Sequence, residues 1–162
     1  MRDIVILGST GSIGVQALEV IAANPTQFRV VGLSAGSNNI ERLIEQVKKF
    51  EVPIVGTTAD GKALRGALPG VEVIDGADSA KSIAALSCDV VLNGITGSIG
   101  LGPTLAALEV GNKVALANKE SLVAGGDLVM AHGRDRIIPV DSAPLFIRRC
   151  WLANAVMLKG LF

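Results

Sequence analysis

Three glycines stand at positions 8, 11 and 14 in Ile6-Leu-Gly-Ser-Thr-Gly-Ser-Ile-Gly14, between an apolar run and a helical pattern. Glycine tolerates positive φ and allows close backbone approach, and a helix opening from such a loop turns free N–H groups toward an anion. That placement points to the diphosphate of a dinucleotide, although the spacing alone is also that of an ordinary tight turn. Roughly 20 residues on, where a carboxylate would hold a ribose 2′-hydroxyl and repel a 2′-phosphate, Leu33-Ser-Ala-Gly-Ser-Asn-Asn39 contains none. Ser34, Ser37 and Asn38 offer hydrogen bonds there and Arg42 follows one turn later. This favours NADP over NAD, and the same side chains also read as helix caps.

Two further groups have chemical types. Asn118-Lys119-Glu120 follows an apolar run. Lys119 suits a phosphate or a polarised oxygen, or else a solvated ion pair with Glu120. Asp141 follows Ile137-Ile-Pro-Val140 and carries the hard oxygen donor that a divalent cation takes. A single carboxylate makes a poor metal site, and a turn or capping aspartate is the commoner role. His132, beside Gly133, reads as a surface helix residue and Cys88 as packing. Cys150 has no histidine placed by sequence to serve it as a base.

The elements that must position these groups alternate. Ile4–Leu7 is a strand buried on both faces, and a helix follows it with Ile13, Ala17, Val20 and Ile21 on one side until Asn24-Pro25. Phe28–Leu33 is a second strand. Asn38 or Asn39 caps a second helix, Asn38 and Glu41 having capping-box spacing, with Ile40, Leu43, Ile44 and Val47 as its buried stripe. Pro53–Gly56 and Val71–Ile74 are short strands around a weakly patterned helix at Lys62–Leu68. Asp89–Asn93 is another buried strand. Pro103 opens and Gly111 closes the next helix. Lys113–Leu116 is a strand, 121–132 a helix and Ile137–Val140 the last strand. The alternation predicts a single α/β domain with a mostly parallel, doubly wound, Rossmann-like sheet. Ligands bind beyond the carboxyl ends of such strands, so the loops after each strand should gather at one crevice.

Composition narrows the functions. The 162 residues carry 15 Lys and Arg against 15 Asp and Glu, so there is no basic footprint for nucleic acid. No apolar stretch reaches the roughly 18 residues of a membrane helix. Two cysteines and one histidine cannot make a Cys/His zinc site and suit a reducing compartment. The sequence has no tyrosine, which removes reductase mechanisms that use one as proton donor. Entry into a strand by residue 3 or 4 leaves nothing for a targeting segment, and the expectation is a cytoplasmic protein.

Taken together, Ile6–Gly14, Phe28-Arg-Val-Val-Gly-Leu33 with Ala35-Gly36, Pro103-Thr-Leu-Ala-Ala107, Leu116-Ala-Asn-Lys-Glu-Ser-Leu-Val123 and Pro139-Val-Asp-Ser142 resemble the 1-deoxy-D-xylulose 5-phosphate reductoisomerase family. The resemblance runs in order over residues 1–142. It implies an NADPH- and metal-dependent enzyme of the non-mevalonate route to isoprenoids. Such an enzyme converts 1-deoxy-D-xylulose 5-phosphate to 2-C-methyl-D-erythritol 4-phosphate, the metal chelating substrate oxygens and NADPH delivering hydride. By matching position it puts Thr10, Gly11, Ser12 and Ile13 on the cofactor phosphates, and Gly36, Ser37 and Asn38 at the adenosine end. Asn118 and Glu120 fall to the nicotinamide side, Lys119 and Ser142 to the sugar phosphate, and Asp141 to Mg²⁺ or Mn²⁺. It also implies a homodimer.

After Ser142 the family pattern continues Glu-His-Ser-Ala, with the Glu a second metal ligand, whereas this chain reads Ala143-Pro-Leu-Phe-Ile-Arg-Arg-Cys-Trp151. The expectation is an NADPH-binding domain over 1–142 and a divergent apolar tail over 143–162 in place of the family's catalytic and C-terminal domains. Such a chain binds NADPH without turning over substrate by itself. Two other readings are a non-catalytic NADP-binding module whose tail is an interaction surface, and an NADP-linked dehydrogenase of the semialdehyde or homoserine type. Asn118-Lys-Glu-Ser121 and Val140-Asp-Ser142 weigh against the latter.

Overall fold

The computed structural model describes residues 1–117, 119–131 and 134–140. The strands are β1 (Arg2–Leu7), β2 (Phe28–Ala35), β3 (Ile54–Thr57), β4 (Glu72–Asp75), β5 (Val90–Asn93), β6 (Lys113–Leu116) and β7 (Ile137–Pro139). The helices are α1 (Ser12–Ala22), α2 (Ile40–Phe50), α3 (Lys62–Ala67), α4 (Ser79–Ala84), α5 (Leu101–Glu109) and α6 (Lys119–Ala131). The strands form one sheet in the order β4-β3-β2-β1-β5-β6-β7, with every pairing parallel.

Alternation of side chains along β1 explains why both faces are covered. Ile4 and Ile6 belong to one buried cluster with Ala17, Leu18 and Ile21 of α1, Leu43 and Val47 of α2 and Leu64 of α3. Val5 and Leu7 belong to the other, with Ile83 and Ala84 of α4, Ala107 and Leu108 of α5 and Val129 of α6. A strand read as a continuous apolar run is thus apolar on both sides because helices cover both sides. Each fully buried Leu or Ile contributes roughly 1.5–3 kcal/mol.

The direction in which strands are added reverses at β1. From β1 the chain moves outward through β2, β3 and β4, then returns across the other face by α4 to place β5 on the opposite flank of β1. The gap between the β1 and β5 exits is the topological switch point, where such sheets bind ligands.

Three local expectations change. Helix α4 was not expected; only Ser79, Ala80, Ile83 and Ala84 of its six residues are buried, too short a pattern to stand out. Residue 39, not 38, is the N-cap of α2, and Asn39 adopts a left-handed backbone (φ 65°) with no side-chain cap bond, so no capping box forms. The helix expected at 121–132 begins two residues earlier, which places Lys119 and Glu120 in the first turn of α6 and not in a loop. The Gly111 stop is as expected: with φ at 90° its N–H reaches the Leu108 carbonyl and the Asn112 N–H reaches that of Ala107, closing α5.

Candidate nucleotide-binding crevice

The loop from Gly8 to Gly14 is built on backbone hydrogen bonds. The N–H groups of Gly8 and Ser9 both donate to the Ser34 carbonyl, at 2.8 and 2.9 Å, which ties the loop to the end of β2. The Gly11 N–H folds back onto the Gly8 carbonyl at 3.1 Å. Gly8 sits at φ 75°, where a side chain is strained, and a Cβ there would come within 3.1 Å of the Gly94 carbonyl. On Gly14 a Cβ would lie 2.5 Å from the Gly8 oxygen and from Ser9 Cα, so only hydrogen lets α1 close on the loop.

This packing leaves donors at the mouth. The first i→i−4 bond at the start of α1 runs from the Val15 N–H to the Gly11 carbonyl. The N–H groups of Ser12, Ile13 and Gly14 precede it and have no partner within the helix. Thr10 is half-buried, Gly11 and Ser12 are exposed, and Ile13 anchors the turn by packing against the core. Unpaired N–H groups at the positive end of a helix fit a diphosphate.

The neighbouring exits line up beside this loop. The Gly94 N–H bonds the Leu7 carbonyl at 3.0 Å, the Ala117 N–H that of Asn93 at 3.2 Å, and the Val140 N–H that of Leu116 at 3.0 Å. Successive strands are therefore locked one residue past their ends. Gly36, Ser37 and Asn38 are all exposed after β2, where an adenosine end would lie, and no carboxylate stands among them. Ser34, expected there as a donor, is buried, and its contribution is the carbonyl that holds the glycine loop. Arg42 lines a shallow groove between α1 and α2 with Val15, Leu18 and Glu19.

Asn93 and Gln46 are two polar residues whose roles the sequence did not display. Asn93 is fully buried; its amide donates to the Gly100 carbonyl and to Thr104 Oγ1, both at 2.8 Å, and its oxygen accepts from the Ile95 N–H. It shapes the β5 exit from within. Gln46 of α2 is buried and donates to the Ser9 carbonyl at 2.9 Å. Its signal was a glutamine three residues beyond Leu43, inside the apolar stripe of α2. Cys88 packs as expected, burial and the Asp89 charge pushing its thiol up to about 11. The side chains of Lys119 and Glu120, and Asn118, His132, Asp141, Ser142 and Cys150 entirely, lie outside the described residues.

The described residues offer a divalent metal no donor set. Among the described residues no three His, Cys, Asp or Glu gather, and residues 142–162 contain no further Asp or Glu to join Asp141. One carboxylate among waters gains a hard cation little affinity.

A seven-stranded parallel sheet, a glycine loop at its switch point and helices on both faces define a Rossmann-like NAD(P)-binding domain. The family model for 1-deoxy-D-xylulose 5-phosphate reductoisomerase matches residues 4–126, and the chain belongs to that family. The reductoisomerase of Beutenbergia cavernae is 54% identical over 149 residues, covering 87% of this chain and 38% of that protein. The Zymomonas mobilis enzyme, solved in complex with NADPH, superimposes with a TM-score of 0.80 at 36% identity, over 87% of this chain and 39% of that one. A reductoisomerase in complex with NADPH, fosmidomycin and magnesium gives 0.79 at 33% identity, over 88% of this chain and 37% of that one. The chain thus spans about two fifths of the length of the relatives it matches.

Proposed function

We propose that this chain is the NADPH-binding portion of a 1-deoxy-D-xylulose 5-phosphate reductoisomerase, its domain spanning residues 1–142. The observation that carries the reading is the glycine loop, whose helix-terminal N–H groups have no partner among the described residues and stand beside a β2 exit free of carboxylates. The likeness to the Zymomonas mobilis NADPH complex supports it.

In this reading Thr10, Gly11, Ser12 and Ile13 hold the diphosphate, mainly through backbone N–H groups that need no rearrangement to meet negative charge. Gly36, Ser37 and Asn38 take the adenosine end, and the lack of an acidic residue admits a 2′-phosphate. Asn118 and Glu120 orient the nicotinamide, while Lys119 and Ser142 hold the sugar phosphate. Bound NADPH supplies a hydride, and the chain's part is to fix its direction of approach. Asp141 is the candidate metal ligand, and a divalent cation held there would polarise oxygens of the substrate.

Purified 162-residue chain should therefore bind NADPH yet give no oxidation of it on addition of 1-deoxy-D-xylulose 5-phosphate and Mg²⁺ or Mn²⁺. Substrate-dependent loss of NADPH absorbance above a protein-free control would contradict the second half of that statement.

A further inference from the structure

We infer that Gln46, which lies outside the glycine loop, is a positioning residue for the cofactor diphosphate: it turns the Thr10 N–H into the crevice by holding the Ser9 carbonyl. The inference rests on the NADPH reading above and deepens it.

The planarity of one peptide fixes where the Thr10 N–H points. No peptide bond among the described residues is cis, and in a trans peptide the C=O and the following N–H point in opposite directions. The Ser9 carbonyl points inward to Gln46 Nε2 at 2.9 Å, on a side chain only 8% exposed. The Thr10 N–H therefore points away from α2, outward, and it has no acceptor among the described residues. The peptide before it behaves in the same way. The Gly8 carbonyl takes the Gly11 N–H on one side, and the Ser9 N–H on the other reaches the Ser34 carbonyl at 2.9 Å. One peptide is tied at both ends. The next is tied at the carbonyl end only, by a side chain, and its donor is left for a ligand.

The choice of residue has a cost that packing alone would not incur. Gln46 Oε1 is buried without a hydrogen-bond partner, and so are Ser9 Oγ and Gln16 Oε1, three of four such atoms among the described residues. Leucine or methionine would fill the α2 stripe without stranding an oxygen. Nor can the amide turn over, because that would set Oε1 against the Ser9 oxygen. An amide here earns its place through Ser9. Because α2 starts directly after Gly36–Asn38, the same helix links the adenosine end to the diphosphate loop.

The test compares two ligands and two variants of the 162-residue chain. Gln46→Met keeps length and loses the donor. Its NADPH dissociation constant should rise about tenfold, which is about 1.4 kcal/mol, while that for 2′-AMP, which carries no diphosphate, stays within about twofold of wild type. Equal losses for both ligands would make Gln46 a purely structural residue and overturn the inference, as would unchanged NADPH affinity. Gln46→Glu gives an independent reading should the first variant fold poorly. Its carboxylate faces the Ser9 oxygen when ionised and donates to it when protonated. Burial at this position raises such a carboxyl above its ordinary value, so the ratio of its NADPH dissociation constant to that of wild type should fall as pH is lowered from about 8 to about 5. A flat ratio contradicts the inference. Wild-type protein that binds 2′-AMP and NADPH equally weakly, or neither, refutes the cofactor reading itself, a result distinct from normal wild-type binding left intact in both variants.

Discussion

The exits of β1 and β5 lie side by side, so close that a Cβ on Gly8 would touch the Gly94 carbonyl, and they use their polar groups in opposite ways. At β5 every hydrogen-bonding arm of the Asn93 amide turns inward, to Gly100, Thr104 and Ile95, and a buried side chain is consumed in shaping its own loop. At β1 a buried side chain from another helix, Gln46, takes the Ser9 carbonyl, and the backbone donors of residues 10 and 12–14 have no partner among the described residues beyond the loop. Both exits look alike in sequence, with glycines and small polar residues after an apolar run. What separates them is where the partners of the polar atoms lie, and those partners are 37 residues away in one case and 7 and 11 in the other.

The sharpest way to break the contrast is Gly14→Ala. A methyl group 2.5 Å from the Gly8 oxygen must push α1 off the loop. The expected outcome is a loss of about 1–3 kcal/mol in urea unfolding together with more than about tenfold weaker NADPH binding. Asn93→Leu should separate the two properties. It leaves the Ile95 N–H without the Asn93 oxygen and should cost roughly 1–2 kcal/mol of stability, while the folded protein keeps NADPH affinity within about threefold. A large affinity loss without destabilisation would show that the β5 exit is a ligand-contacting loop after all.

Cys88 sharpens the comparison at the far side of the β5 strand. With its thiol raised to about 11, alkylation of the folded protein near pH 8 should be much slower than that of a free thiol. The unfolded chain ionises this thiol first, so it binds fewer protons than the folded one between about 8.5 and 11. Stability should therefore fall as pH rises through that window, and Cys88→Ala should flatten the decline. The smallest effect is expected at the edge strand. Arg65 and the Gly61 N–H hold the Asp75 carboxyl below the usual carboxylate range. The pair's contribution is thus present at neutral pH and lost as pH falls through that lowered value. Asp75→Asn should lower the melting temperature slightly at pH 7, less in high salt, and not at all in strong acid.

The sheet was legible because Ile4–Leu7 is apolar throughout and Val90–Asn93 at every position but the last, which only a strand covered on both faces requires. The glycine loop was legible because φ 75° at Gly8 and the close contact at Gly14 leave a chemical trace, the absence of a side chain. Helix α4 left no such trace: six residues turn less than twice, and no periodicity can emerge. Asn39 misled in a different way, because asparagine is favoured both as a capping side chain and in the left-handed region, and here the backbone role won. Ser34 and Gln46 were illegible for a common reason. A serine that works through its carbonyl and a glutamine that works through a distant carbonyl reveal their roles only when two elements far apart in sequence meet.

The claim on which all of this depends is that the residue 8–14 loop receives a reduced dinucleotide phosphate. Isothermal titration of the folded 162-residue chain with NADPH, and with NADH as the paired control, tests it most directly. A saturable one-to-one isotherm with NADPH preferred over NADH is the predicted result, and a well-folded protein that gives no heat with either cofactor would contradict it.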